Sequence, residues 1–252
     1  MTPSVVGSKH QPPKEKLLPE HVVIVGGSSG MGRALAAELV AQGSEVTIAG
    51  RTPAKLDAVR RELGVRTVAM DLGREQDIER LFATTGKVSH IVTTAADVGG
   101  AYQPIAAYDM GSARAAVDSK LLGPLLLAKH GAPLLEPGGS IVFTSGIAAY
   151  RPGPRASLLA ALNGALASLA AALAVELAPL RVNVVSPGWV DTPIWQDVAG
   201  DAAPATLSAM ADRLPVGRIG RPQDIAAAII ALLRNGFITG TVLHADGGHR
   251  LA

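Results

Sequence analysis

The residues with the most chemical content stand just after the first apolar run. Gly26, Gly30 and Gly32 form a G-x-x-x-G-x-G pattern, with Gly27 as a further glycine, directly behind His21-Val22-Val23-Ile24-Val25. The spacing alone is a weak signal. Its place between a strand and a helix opening near Met31 is that of a dinucleotide-binding turn. Glycines there let the backbone approach a pyrophosphate, while Ser28, Ser29, Gly30 and Met31 bring the N–H groups and the dipole of a helix N-terminus. A glycine-rich turn that holds nothing is the competing reading. At the end of the second apolar run, Gly50 stands where an NAD site places Asp or Glu, and Arg51 and Thr52 follow. No carboxylate repels a 2′-phosphate, and a guanidinium can grip one as a fork, so the expected cofactor is NADP(H). The alternative for Arg51 is a solvated surface residue. Asp71, with Leu72 beside it, ends the third strand, where a carboxylate can accept from the adenine amino group. A helix N-cap is a nearly equal alternative for Asp71.

These positions require a scaffold of alternating strands and helices, which the apolar spacing supplies. Strands are predicted at 21–25, 45–49, 66–70, 90–94, 140–144, 181–185 and 241–244. Helices are predicted at 31–42, 53–63, 75–83, 112–130, 156–177 and 224–233, with 190–214 less regular. The expected fold class is α/β: one Rossmann-type, doubly wound parallel sheet of about seven strands with helices on both faces. Residues 1–20 read as a flexible extension and 21–252 as the single NADP-binding domain. With 48% hydrophobic but only 3% aromatic residues, the core must be built from Ala, Leu, Val and Ile.

Composition excludes several classes. There is no Cys, hence no disulfide, thiolate nucleophile or Cys-ligated metal. No His, Asp or Glu spacing suggests a metal site, and His90 and His130 read as structural. A net charge of +2 without a basic stripe speaks against nucleic acid. Met1 to Glu20 has no signal-like apolar region, and the apolar stretch Ser157 to Leu180 contains Asn163, Ser168 and Glu176, so it reads as a buried helix and not a membrane span. The expected location is the cytoplasm.

From Val22 to Leu251 the chain resembles the short-chain dehydrogenase/reductase family. The glycine turn matches the family's first motif, and Arg181-Val182-Asn183-Val184-Val185-Ser186-Pro187-Gly188 matches its late strand and turn. Asp191-Thr192-Pro193 and Asp246-Gly247-Gly248 complete the match. The resemblance implies that Pro187, Gly188, Val190 and Thr192 hold the nicotinamide, and that 190–214 is a mobile substrate lid with Trp195 as an apolar wall. It also implies a catalytic set of Asn, Ser, Tyr and Lys, in which Tyr exchanges a proton with the substrate and Lys holds the ribose.

Only Ser145 of that set stands in its expected place. Alignment through Leu173-Ala174-Val175-Glu176-Leu177 puts Leu159 at the Tyr position and Asn163 at the Lys position; a slip of one gives Leu158 and Leu162. Lys120 falls where Asn is expected, and Thr93-Thr94-Ala95-Ala96 replaces the usual Asn-Asn-Ala-Gly. Lys and Asn therefore look exchanged, with Lys120 able to reach the ribose or the substrate oxygen through the space at Asn163; the alternative is a Lys120 that faces solvent or an acidic partner. Tyr150 and Tyr102 are the phenols within sequence reach of the site, each with loop packing as its plainer role, and Ser145 has strand-end capping as its own. Three functions remain open: an NADP(H)-dependent oxidoreductase acting on a small carbonyl or alcohol, imine or activated alkene; a non-redox enzyme for dehydration, isomerisation or cyclisation; and a catalytically silent binding protein. Gly164 and Ser168, four apart on an Ala-rich helix, permit close helix approach, so a homodimer or homotetramer is expected.

Overall fold

The computed structural model describes residues 20–95 and 99–252. Seven parallel strands lie in the order β3-β2-β1-β4-β5-β6-β7. They are β1 (His21–Val25), β2 (Glu45–Gly50), β3 (Arg66–Ala69), β4 (Val88–Thr93), β5 (Leu135–Thr144), β6 (Arg181–Pro187) and β7 (Val242–Ala245). The order reverses between β1 and β4, which opens a crevice at the carboxyl ends of those strands. This is the expected doubly wound α/β architecture.

Period-two alternation splits the central strands between two cores. Val22 and Ile24 of β1 face α1 (Gly30–Ala41) and α9 (Pro222–Arg234), packing with Leu35, Leu39, Ile225 and Ile229. Val23 and Val25 face the other side, with Ile78 and Leu81 of α3 (Glu75–Thr85), Leu127 of α5 (Gly123–Gly131) and Leu166 of α6 (Ser157–Glu176). Helix α2 (Pro53–Leu63) flanks β2 and β3 and places Leu56 and Val59 in the first core. Arg181 joins the late elements. Its buried guanidinium donates to the carbonyls of Leu232 at 2.7 Å and Leu233 at 2.6 Å, filling acceptors that the end of α9 leaves open.

Two expectations need correction. The helix expected at 112–130 is α4 (Met110–Val117), a π turn (Asp118–Leu122) and α5. Pro124 explains the break: lacking an N–H, it cannot donate to the carbonyl of Lys120, and the ladder widens there. The stretch 190–214 contains two short helices, α7 (Ile194–Ala199) and α8 (Ala203–Ala211). Among the described residues, α6 is the helix long and apolar enough to cross a membrane. Its Leu159, Leu162, Leu166, Ala170 and Leu173 are instead buried within the protein.

Candidate functional site: a dinucleotide crevice

The crevice at the switch point is a cavity of about 320 Å³. Gly26, Ser28, Ser29, Gly30 and Met31 line one wall, Arg51 and Thr52 the far end, and Asp71, Leu72, Thr94 and Ala95 the opposite side. Thr192 faces the turn: a Cβ on Gly30 would stand 3.3 Å from its Cγ2. Gly26 and Gly30 have φ of +95° and +50°, a region that favours glycine. Gly26 also packs closely, since a Cβ there would lie 2.7 Å from Thr94 Oγ1. That hydroxyl donates to the Gly26 carbonyl at 3.3 Å, tying the turn to the end of β4.

The residues present fit a dinucleotide phosphate. Ser29, the N-cap of α1, spends no side chain on the helix amides, and the first turn of α1 carries no acid. The amides are therefore open to an anion. At the far end neither Gly50 nor the first turn of α2 brings a carboxylate, and Lys55 joins Arg51 on the cavity wall. Sequence reading missed Lys55 and Ser119. The signal for Lys55 was its i+4 spacing from Arg51 across the start of α2. Asp71 is not an N-cap, because Arg74 caps α3; its Oδ1 instead accepts from Gly73 N at 3.0 Å. Gly32, Pro187, Gly188, Val190 and Lys120 are not among the residues lining this cavity, and Ala96 falls outside the described residues. Gly32 and Gly188 serve close packing: a Cβ on Gly188 would lie 2.6 Å from Asp246 Cα. Val190 is buried and bridges to Gly220.

Ser145 follows β5, anchored by its N–H to the Val185 carbonyl at 2.9 Å. Lys120 and Asn163 flank it. The Lys120 side chain is buried and donates from Nζ to the carbonyl of Thr144 at 3.2 Å, so it does not face solvent. Burial lowers its pKa to about 8. An ammonium has three donors, and no second acceptor among the described residues meets this one. Asn163 lies against the residue after Ser145, for a Cβ on Gly146 would stand 3.1 Å from its Nδ2. Its Oδ1 is buried without a partner, a state native proteins seldom leave unfilled.

The phenols are placed differently. Helix α6 carries no Tyr and no Lys. Leu159 and Leu162 are buried with Ala101 and Ala116, and Tyr102 packs against that cluster, burial raising its phenol pKa. Tyr150 is 42% exposed, its ring edge-on to His244 at 4.5 Å. Trp195 stacks on Trp189 at 4.3 Å and donates from Nε1 to the Val190 carbonyl, so it pins the segment after Gly188 as well as walling it.

A family model described as enoyl-(acyl carrier protein) reductase matches residues 25–250. The short-chain dehydrogenase/reductase malC of Malbranchea aurantiaca is 35% identical over 93% of this chain and 96% of its own. L-xylulose reductase of Bos taurus is 34% identical over 92% and 97%. The chain belongs to the short-chain dehydrogenase/reductase family. It is an oxidoreductase of that type. Among solved structures, a small-chain dehydrogenase in complex with NADPH aligns with a TM-score of 0.81 at 33% identity, covering 93% of this chain and all of the other. MalC Reductase/Diels-Alderase of Malbranchea aurantiaca aligns at 0.87 and 34%, covering 94% and 98%. The NADP(H) expectation thus agrees with a solved relative that holds NADPH and with the cation-lined, carboxylate-free end of the crevice.

Outside the crevice, Glu75, Glu79 and His130 come together, a grouping their spacing did not announce. Lys129 Nζ already sits 2.6 Å from Glu75 Oε1, and its charge opposes a metal ion there. His90 is buried and bonded to Ser140 at 2.9 Å, as a structural residue would be.

Proposed function

We propose that this chain is an NADP(H)-dependent oxidoreductase with a modified catalytic set, transferring hydride to or from a small carbonyl or alcohol, an imine or an activated alkene. The carrying observation is the flanking of Ser145: Lys120 bonds the residue before it, and Asn163 lies against the residue after it. Gly26 to Met31 would hold the pyrophosphate of NADPH, and Arg51 with Lys55 its 2′-phosphate; when bound, the cofactor would supply the hydride. Ser145 donates a hydrogen bond to the substrate oxygen or nitrogen. Lys120 holds a proton beside Ser145, and with a pKa near 8 it can release that proton close to neutral pH. Asn163 Oδ1, buried without a partner, would be free to accept from a hydroxyl of the cofactor ribose or from a water. Leu159 keeps the place of the family's Tyr dry and inert. An iminium or activated alkene suits this set, because it needs less acid assistance than a ketone.

The test is NADPH oxidation over a panel of ketones, cyclic imines and enones. Turnover is expected to fall as pH rises through about 8. Lys120→Met should lower turnover on ketones by about 10²-fold, the low end for an acid–base group, with NADPH affinity kept within a few-fold. Loss of turnover in Tyr102→Phe but not in Lys120→Met would move the proton to Tyr102. A second reading, non-redox chemistry in the same crevice, is favoured by a relative of double activity, MalC Reductase/Diels-Alderase. It predicts substrate conversion without NADPH consumption. The proposal includes a homodimer or homotetramer assembled through α4, α5 and α6, whose outer side presents Leu125 at 41% and Val175 at 80% exposure.

A further inference from the structure

Two buried polar atoms without a hydrogen-bond partner stand at the ends of the late strands. They are Ser186 Oγ on β6 and His244 Nδ1 on β7. Ser186 as a whole is 0% exposed. Native proteins seldom enclose such atoms without a reason, and function is among the reasons.

Strand register puts the two side by side and extends the line to Ser145. Ser186 pairs with His244 across β6 and β7. Across β5 and β6 the ladder runs Phe143↔Val184 and Thr144↔Val185, and the N–H of Ser145 continues it to the Val185 carbonyl at 2.9 Å. Ser145 is therefore the residue abreast of Ser186. Ser145, Ser186 and His244 stand two residues beyond Phe143, Val184 and Val242, which all pack into the core under α6. Alternation turns the three side chains to that same face. Neighbouring strands lie about 4.8 Å apart, so groups in one row meet by rotation about χ1 or through one bridging water.

The row runs from the buried Ser145 outward to His244, which is half-buried, keeps Nδ1 inside and meets the ring of Tyr150. Burial foremost, and Arg250 after it, lower the pKa of this imidazole. Near neutral pH the ring is thus uncharged, with one N–H and one bare nitrogen. With the N–H on Nδ1, every group in the row donates to the next. Ser186 accepts from His244, and Ser145 accepts from Ser186. The Ser145 hydrogen is then left to point at the substrate, and each bond polarises the one after it.

We propose that His244 and Ser186 are positioning residues, a chain of donors that aims and strengthens the Ser145 hydroxyl. The inference rests on the reading that Ser145 donates to the substrate oxygen or nitrogen.

Tautomers test the chain without any turnover. Free histidine side chains favour the Nε2–H form, whereas the chain requires His244 to hold its proton on Nδ1. Long-range ¹⁵N–¹H correlation spectra of the cofactor-free protein are expected to show Nδ1–H at His244, assigned by the signals lost in His244→Asn. In Ser186→Ala, which removes a hydroxyl that bonds nothing else, His244 should revert toward Nε2–H. Kinetics then test the role. Ser186→Ala and His244→Leu should each lower kcat by about tenfold with KM nearly unchanged, short of the about 10²-fold or more that follows loss of an oxyanion donor itself. His244→Asn should recover most of that loss, because the asparagine Nδ2 stands where the imidazole Nδ1 stood. An Nε2–H tautomer in the unaltered protein, a tautomer indifferent to Ser186→Ala, or equal losses in His244→Asn and His244→Leu would each overturn the proposal. Failure of the underlying reading shows separately, as no NADPH oxidation by the unaltered protein on any substrate, and would remove the chain's role with it.

Discussion

Lys120 is the residue on which most turns. Burying an ammonium whose pKa falls from 10.5 to about 8 costs about 3 kcal/mol of stability while the group is charged in both states. The sign follows from proton counts. Below pH 8 both folded and unfolded chains bind the proton, and the full cost is present; between about 8 and 10.5 the unfolded chain binds more, so stability rises with pH. Lys120→Met is accordingly expected to raise the stability of the cofactor-free protein at pH 7 by up to about 3 kcal/mol, and to lose that advantage near pH 10.5. Urea denaturation of both forms at the two pH values measures it. A stability gain paired with an activity loss is the mark of a residue held for function. On the crevice wall, Arg51→Ala should weaken NADPH by about 1.5–3 kcal/mol while leaving NADH nearly unchanged, since only the phosphate loses a charge-assisted partner; calorimetric titration with each cofactor reads this directly.

At the scale of elements, the ends carry the function. The π turn puts Lys120 under the end of β5, and no periodicity in the sequence marks it; Pro124 was its sole signal, and a helix can absorb a proline in other ways. Strand positions were legible because β1, β4 and β6 are buried throughout and rich in Val and Ile, as in Val22 to Val25, Ile91-Val92 and Val184-Val185. The helices α7 and α8 were not, since their short, weakly amphipathic stretches give little pattern to read. Of the candidate site, the turn at Gly26 and Gly30 was legible because its positive φ demands glycine, and Ser145 because a motif fixes its place after β5. Contacts made by long side chains across elements, such as Lys120 with Thr144, needed the fold. Arg181 belongs to this scale too. Arg181→Ala would leave the Leu232 and Leu233 carbonyls at the end of α9 buried and unpaired. A loss of about 2–4 kcal/mol is expected, with α9 amides losing hydrogen-exchange protection ahead of α1.

For the whole molecule, one parallel sheet creates the crevice, and its two layers of helices leave apolar surface on the outside of α5 and α6. If the proposed assembly uses that surface, sedimentation velocity is expected to show a dimer or tetramer, and Val175→Glu should shift it toward monomer without altering NADPH affinity; a monomer at micromolar concentration would refute the assembly. Cofactor preference can be read without knowing the substrate. The crevice offers a helix N-terminus to a pyrophosphate, two cations to a 2′-phosphate, and no carboxylate to a free 2′-hydroxyl. Side-by-side calorimetric titration of the unaltered protein with NADPH and NADH tests this most directly. The account expects NADPH to bind at least about tenfold more tightly, whereas equal affinities, or a preference for NADH, would contradict it.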